Sequence, residues 1–206
     1  MVTLDSQLEN EYSGHLLSGK SLPIHFSTFT SSSQVITSLD THVNVSRSLS
    51  RLKAVYVSLF KPSGQPTMNE VNYFWHPMSG VDYDRSKELE FQMQIGAKLF
   101  PEMSIRSIAE SFSQLKKALA VHSSNAQMSM VQRDYRSNKF VIGLGTEKLA
   151  GSSFSGYNSK AGDLLTLKLK HANASIDLTG GTHKMFYVLH YDSILQIQDL
   201  GVSVLE

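Results

Sequence analysis

The chain contains no cysteine, which excludes disulfides and thiolate metal sites and suits a protein with no need of an oxidising compartment. Charge of either sign is scarce: 18% of residues are Asp, Glu, Lys or Arg, and the formal net charge is +1. Such a balance projects no long-range field to steer nucleic acid or an acidic membrane. No apolar run approaches the length of a membrane span, and residues 1–20 are too polar for a signal peptide. The expectation is a chain of intracellular origin. The spacings Asn44-Val45-Ser46 and Asn173-Ala174-Ser175 match glycosylation sequons. Without a leader to reach the glycosylation machinery, they read as chance.

Catalytic and metal-binding constellations are lacking too. The histidines are His15, His25, His42, His76, His122, His171, His183 and His190, and none falls in a metal-ligand spacing. His183, His190, Asp192 and Asp199 are near one another in sequence. Strand alternation puts His190 on the face opposite Leu189, as a solvent or interface side chain. Gly143-Leu144-Gly145-Thr146-Glu147-Lys148 lacks the Gly-Lys-Ser/Thr ending of a phosphate loop. Residues 151–156 offer no Gly-x-Ser-x-Gly register and no strand-turn-helix context for a nucleophile elbow. Asp82, Asp84, Glu88 and Glu90 cluster, but Glu88 and Glu90 read as the wet side of a strand rather than an acid–base pair. Arg47, Arg51 and Lys53 form the densest basic group, with Lys116 and Lys117 further on. Without interleaved stacking aromatics they support at most a weak nucleic-acid contact. The sequence therefore implies no enzyme, no metal and no cofactor.

What the chain does have is β pattern. Its length suits one domain with a core of its own, read as a polar arm or linker over 1–20 followed by a single domain over 21–206. Leu22-Pro23-Ile24-His25-Phe26 alternates as a first strand, and the Ser/Thr tract 27–33 reads as a loop or irregular edge. Val43 and Val45 alternate with polar neighbours. Ala54-Val55-Tyr56-Val57-Ser58-Leu59-Phe60 is the clearest central strand of the first half. Leu89, Phe91, Met93 and Ile95 alternate strictly with polar residues. Further strands are expected over 140–144, 164–169, 185–190, 194–197 and 202–204, with turns at 160–163 and 179–182. One helix, near 104–121, follows from Ile105, Ile108, Phe112, Leu115 and Leu119 at helical spacing. Ser107 with Glu110 has capping-box spacing, Ser104 is an alternative cap, and 127–137 reads as a connector. About eight short strands and one lateral helix give an all-β antiparallel sandwich of jelly-roll type.

Several segments then carry a resemblance. Phe140 to Leu144, Glu147, Ser155-Gly156, Asn158-Ser159 and the Leu164 to Leu169 strand come in an order similar to the second barrel of the double jelly-roll major capsid proteins. That group includes those of large algal DNA viruses, virophages and Polinton-like elements. His190-Tyr191-Asp192-Ser193-Ile194-Leu195-Gln196-Ile197 with Gly201 resembles the family's closing strand. Ser46-Arg47-Ser48-Leu49-Ser50-Arg51-Leu52 and the Tyr56 to Phe60 strand resemble the Polinton-type proteins. The chain departs by having Phe154 rather than proline before its Ser-Gly turn, and by having room for one jelly roll where the family has two. It is either the C-terminal half of a longer protein or a single jelly-roll relative such as a penton.

The resemblance implies a structural capsid protein of a double-stranded DNA virus or related element, assembled in the host cell and residing in the virion. Its partners would be copies of itself, as a trimer, and other capsid proteins, with packaged genome met at most weakly by Arg47, Arg51 and Lys53. Aromatic and small polar loops then become the subunit contacts: Tyr73, Phe74, Trp75 and His76 in one, Phe154, Tyr157 and Asn158 in another. The alternative is a non-catalytic binding module of the same architecture, lectin-like or for cell attachment, with Trp75, Asn72 and Asp82 as its only sugar-binding candidates.

Overall fold

A computed structural model of the chain describes residues 5–36, 38, 40–60, 89–119, 130–137, 139–147, 156–160, 163–171, 183–198 and 201–206. Alternating apolar residues build nine strands among them: β1 (Leu22–Ile36), β2 (Asp40–Val45), β3 (Leu52–Phe60), β4 (Leu89–Ile95), β5 (Lys98–Ile105), β6 (Ile142–Gly145), β7 (Leu165–His171), β8 (His183–Gln198) and β9 (Gly201–Leu205). The helices are α1 (Ser6–Leu17), α2 (Ile108–Ala118) and α3 (Gln132–Ser137).

Pairing is nested. β1 pairs β8, β2 pairs β7, β3 pairs β6 and β4 pairs β5, all antiparallel. Adjacent pairs are then stitched by β3–β8 and β4–β7. The result is one sheet ordered β1-β8-β3-β6, with β9 added beside β8, and a second ordered β2-β7-β4-β5. This is the jelly roll expected from the sequence, two Greek keys folded into a double sheet. The inward residues of β3, β4, β7 and β8 form the core, with Val55, Val57, Phe91, Met93, Leu167, Leu169, Met185 and Leu189 all buried.

Several elements differ from the sequence expectation. Residues 27–33 are the middle of β1, paired residue for residue with β8, because backbone hydrogen bonds to a long partner hold a Ser/Thr tract that has little apolar face of its own. The strands expected over 185–190 and 194–197 are one continuous β8. Asp192 and Ser193, which break the apolar pattern between them, are both buried within it. The stretch read as an arm carries α1, none of whose residues is buried. Ile105 belongs to β5, a strand the alternation did not reveal, so the lateral helix is α2 alone. Ser107 is its N-cap, accepting from the Glu110 N–H, while the Glu110 carboxylate reaches back to the Arg106 N–H. The expected connector contains α3, whose Tyr135 is fully buried between Phe112 and Phe140 with ring centroids 4.9 and 5.4 Å away.

α2 lies on the outer face of the first sheet, over β6. Glycine permits this: a Cβ on Gly143 would stand 2.7 Å from Leu115 Cδ1 and 3.1 Å from Leu115 Cα. Tyr56 ties the helix end down by donating to the Ala118 carbonyl at 3.2 Å.

Candidate functional site

Register at the far end of the first sheet places one coherent group of side chains. β8 outruns β3, and over its last residues it is flanked instead by β1 and β9. Directly opposed positions share a face. Leu22, Ile197 and Val202 therefore form one row, and Ile24, Leu195 and Val204 the next, with Phe26 beyond. Along β8 the same parity includes Met185, Tyr187, Leu189 and Tyr191, all of which face the core. The apolar rows are thus the core face of the sheet, continued past the end of the sandwich. There they are open: Ile24, Val202 and Val204 are 48%, 63% and 52% exposed. Each half-exposed aliphatic of this size forgoes about 1 kcal/mol of burial. A sheet face of this kind marks a contact surface, and β9, paired among the described residues with β8 alone, adds an apolar edge strand.

Behind the overhang, on the sheet's outer face, a polar cluster fixes the point where β8 changes neighbours. A β-bulge between Leu52 and Ala54 leaves Lys53 without an opposing residue and re-aims its side chain. Lys53 Nζ lies 3.3 Å from the Glu147 carboxylate and 3.6 Å from that of buried Asp192. Ser27 donates a hydrogen bond to the same Asp192 oxygen. His190 packs alongside, stacked on Phe29 at 4.5 Å. Burial pushes its pKa below the usual 6.5, reinforced by the Lys53 charge and opposed by Asp192 and Glu147.

Of the expected basic group, Arg47 is held by the Glu206 carboxylate and the Tyr191 hydroxyl, and Lys53 by Glu147 and Asp192. The Arg51 carbonyl accepts the Asp192 N–H at 3.1 Å, and the residue makes a further interaction besides. Arg47 and Lys53 thus spend their charge on internal carboxylates rather than presenting a common basic face.

Of the expected contact loops, Tyr73, Phe74, Trp75, His76 and Phe154 lie outside the described residues. Tyr157 is half-buried and serves as an internal rivet. Its backbone exchanges both hydrogen bonds with Leu52, and its ring meets Phe100 edge-on at 5.5 Å with Lys98 above it. Asn158 is exposed and turns the chain by accepting from the Lys160 N–H at 2.8 Å. Sequence reasoning missed the overhang. Its signal was present in the alternation of Ile24, Leu195 and Val204, but only the register shows that the three share a face.

A second concavity, a groove of about 230 Å³, lies on the outer face of the second sheet, lined by His42, Glu90, Gln92, Ser104, Lys168 and Lys170. Among the described residues no group of three or more His, Asp or Glu could hold a metal, and no helix is long and apolar enough to cross a membrane.

Comparison with solved structures shows where this fold recurs. The chain is similar to PBCV-1 VP54 fitted into a cryo-EM reconstruction of the virophage Sputnik, at TM-score 0.54 and 10% identity, over 98% of this chain and 55% of that one. It also matches a chain of the PBCV-1 virus capsid quasi-atomic model at TM-score 0.49 and 10% identity, with the same coverage. This chain spans about half the length of the chains it matches. The likeness to VP54 establishes a shared fold. No protein-family model matches the sequence, and no curated protein matches it.

Proposed function

We propose that the chain is a capsid-like structural protein that associates with copies of itself, as a trimer, within the shell of a double-stranded DNA virus or a Polinton-like element, and that it catalyses nothing. The observation that carries this reading is the apolar overhang of β1, β8 and β9 on a jelly roll whose structural neighbours are viral capsid proteins. A subunit that tiles needs a rigid body and a face that is apolar without being part of its own core. The overhang supplies that face, and a net charge of +1 leaves little self-repulsion to oppose close packing. Other capsid proteins are the further partners and the virion the site of residence. Contact with packaged nucleic acid through Arg47, Arg51 and Lys53 is weak at most, since two of the three face carboxylates.

Light scattering over a concentration and salt series tests the reading. The wild-type chain is expected to form a discrete trimer or larger assemblies. Ile24→Asp with Val204→Asp is expected to give a monomer with an unchanged melting temperature, because both side chains are already half exposed. A wild-type chain that stays monomeric at high concentration would sink the proposal. The second reading, a non-catalytic binding module, is favoured by the polar groove on the second sheet.

A further inference from the structure

Cross-strand register divides the outer face of the second sheet into columns. In one, Asp40 stands opposite Lys170 and Lys170 opposite Glu90. Arg106 extends the row, its Nε 3.3 Å from the Glu90 carboxylate. Charge alternates along that column and is compensated. In the next, His42 stands opposite Lys168 and Lys168 opposite Gln92, with no carboxylate among them. The third holds Asn44, Thr166 and Gln94, all neutral. Among the described residues of these columns, Lys168 is therefore a cation whose directly opposed neighbours supply no counter-charge.

The groove forms at this column because β5 departs from β4 there. Phe91 pairs with Ile105 and Met93 with Phe100, so Gln92 alone faces residues 101–104. The Gln92 amide holds the detour by donating to the Pro101 and Glu102 carbonyls at 3.0 and 3.1 Å. Ser104 is left beside Lys168 and His42 in the groove lining.

We propose that this groove binds a small polyhydroxylated acid, a sugar of monosaccharide size bearing one carboxylate or sulfate. The volume of about 230 Å³ admits one sugar ring. Lys168 supplies a positive charge with three donors and no directly opposed carboxylate, which calls for one anionic group. His42, Ser104 and the neighbouring Glu90 offer both donors and acceptors, which suits hydroxyls rather than a second charge. The inference stands apart from self-assembly, since its residues lie on the other sheet from the overhang.

NMR titration of the full chain with methyl glucuronide and with glucose 6-sulfate tests it, alongside methyl glucoside and inorganic sulfate as controls. Expected are saturable shifts confined to β2, β4, β5 and β7 with the two acidic sugars. Binding should weaken about tenfold or more in Lys168→Gln, through loss of the charge-assisted contact. It should be unchanged in Lys116→Gln, which lies on α2. The proposal is overturned by any of three results: no saturable shift, shifts that survive in Lys168→Gln, or equal affinity for the neutral sugar or for bare sulfate. Folding of Lys168→Gln is checked by the unshifted remainder of its spectrum.

Discussion

Asp192 decides the order of its surroundings one side chain at a time. Its carboxylate is buried and shared by Lys53 and Ser27. Asp192→Asn is expected to cost about 2 kcal/mol, because Lys53 keeps Glu147 while losing its better-buried partner. Adding Lys53→Met should recover part of the loss, since no uncompensated charge then remains; denaturant titration of the single and double variants reads this directly. His190 gives the neighbourhood a pH dependence. Its folded pKa is depressed below 6.5, so the unfolded chain takes up the proton first. The stability it contributes is present above pH 6.5 and lost as pH falls through 6.5 toward the folded value. Urea midpoints measured down this range should decline for the wild type and decline less for His190→Gln. A flat wild-type profile would refute the assignment. Only the nearness of His190 and Asp192 was legible beforehand: Lys53 and Glu147 lie far from them in the sequence, and the fold, with its bulge at Lys53, brings the four together.

At the scale of elements, legibility followed the strength of the local pattern. β3, β4 and β7 were readable because each buries one full face or both, which writes alternation or a β-branched run into the sequence. β5 was not, because its detour opposite Gln92 interrupts the period and Met103 ends up exposed. α3 is too short to show a periodic stripe and is anchored by the single buried ring of Tyr135. That ring's hydroxyl donates to the Val141 carbonyl at 2.9 Å, and burial raises its pKa well above the ordinary tyrosine value. α2 was legible in its stripe and its cap, but its seat on β6 was not, since two glycines leave no pattern. Gly143→Val tests that seat. With Leu115 backbone only 3.1 Å from the position of a Cβ, α2 must lift. A loss of about 2–3 kcal/mol is expected, as for overpacking, with Tyr56 fluorescence or hydrogen exchange reporting the displaced helix end. Wild-type stability in this variant would mean the helix does not rest where it is placed.

For the whole molecule, the nested pairing makes most sheet contacts non-local, the β4–β5 and β8–β9 hairpins apart. Leu22 pairs with Ile197 and Ile36 with His183. Loop closure must be completed before such contacts reward it, so folding is expected on the slow side of the two-state range, milliseconds to seconds or longer. Stopped-flow refolding that finishes within microseconds would contradict the topology. Architecture at this level was legible from strand count and turn spacing, because few folds accommodate about eight strands in two packed antiparallel sheets. The apolar overhang was not. It is built from ordinary aliphatics whose meaning depends on which strand ends first, while Tyr73 to His76, singled out by composition, lie outside the described residues.

The pairing of β1 with β8 also sets a timetable. On a ribosome the residues of β1 emerge long before those of β8, and at about 5–20 residues per second the interval is of order ten seconds. For all of it β3 lacks β8, and until residues 142–145 emerge it lacks β6 as well, so its apolar residues have no sheet to join. Until β8 appears the nascent chain carries those residues uncovered, so the stretch of synthesis most open to misassociation lies between the emergence of β3 and that of β8.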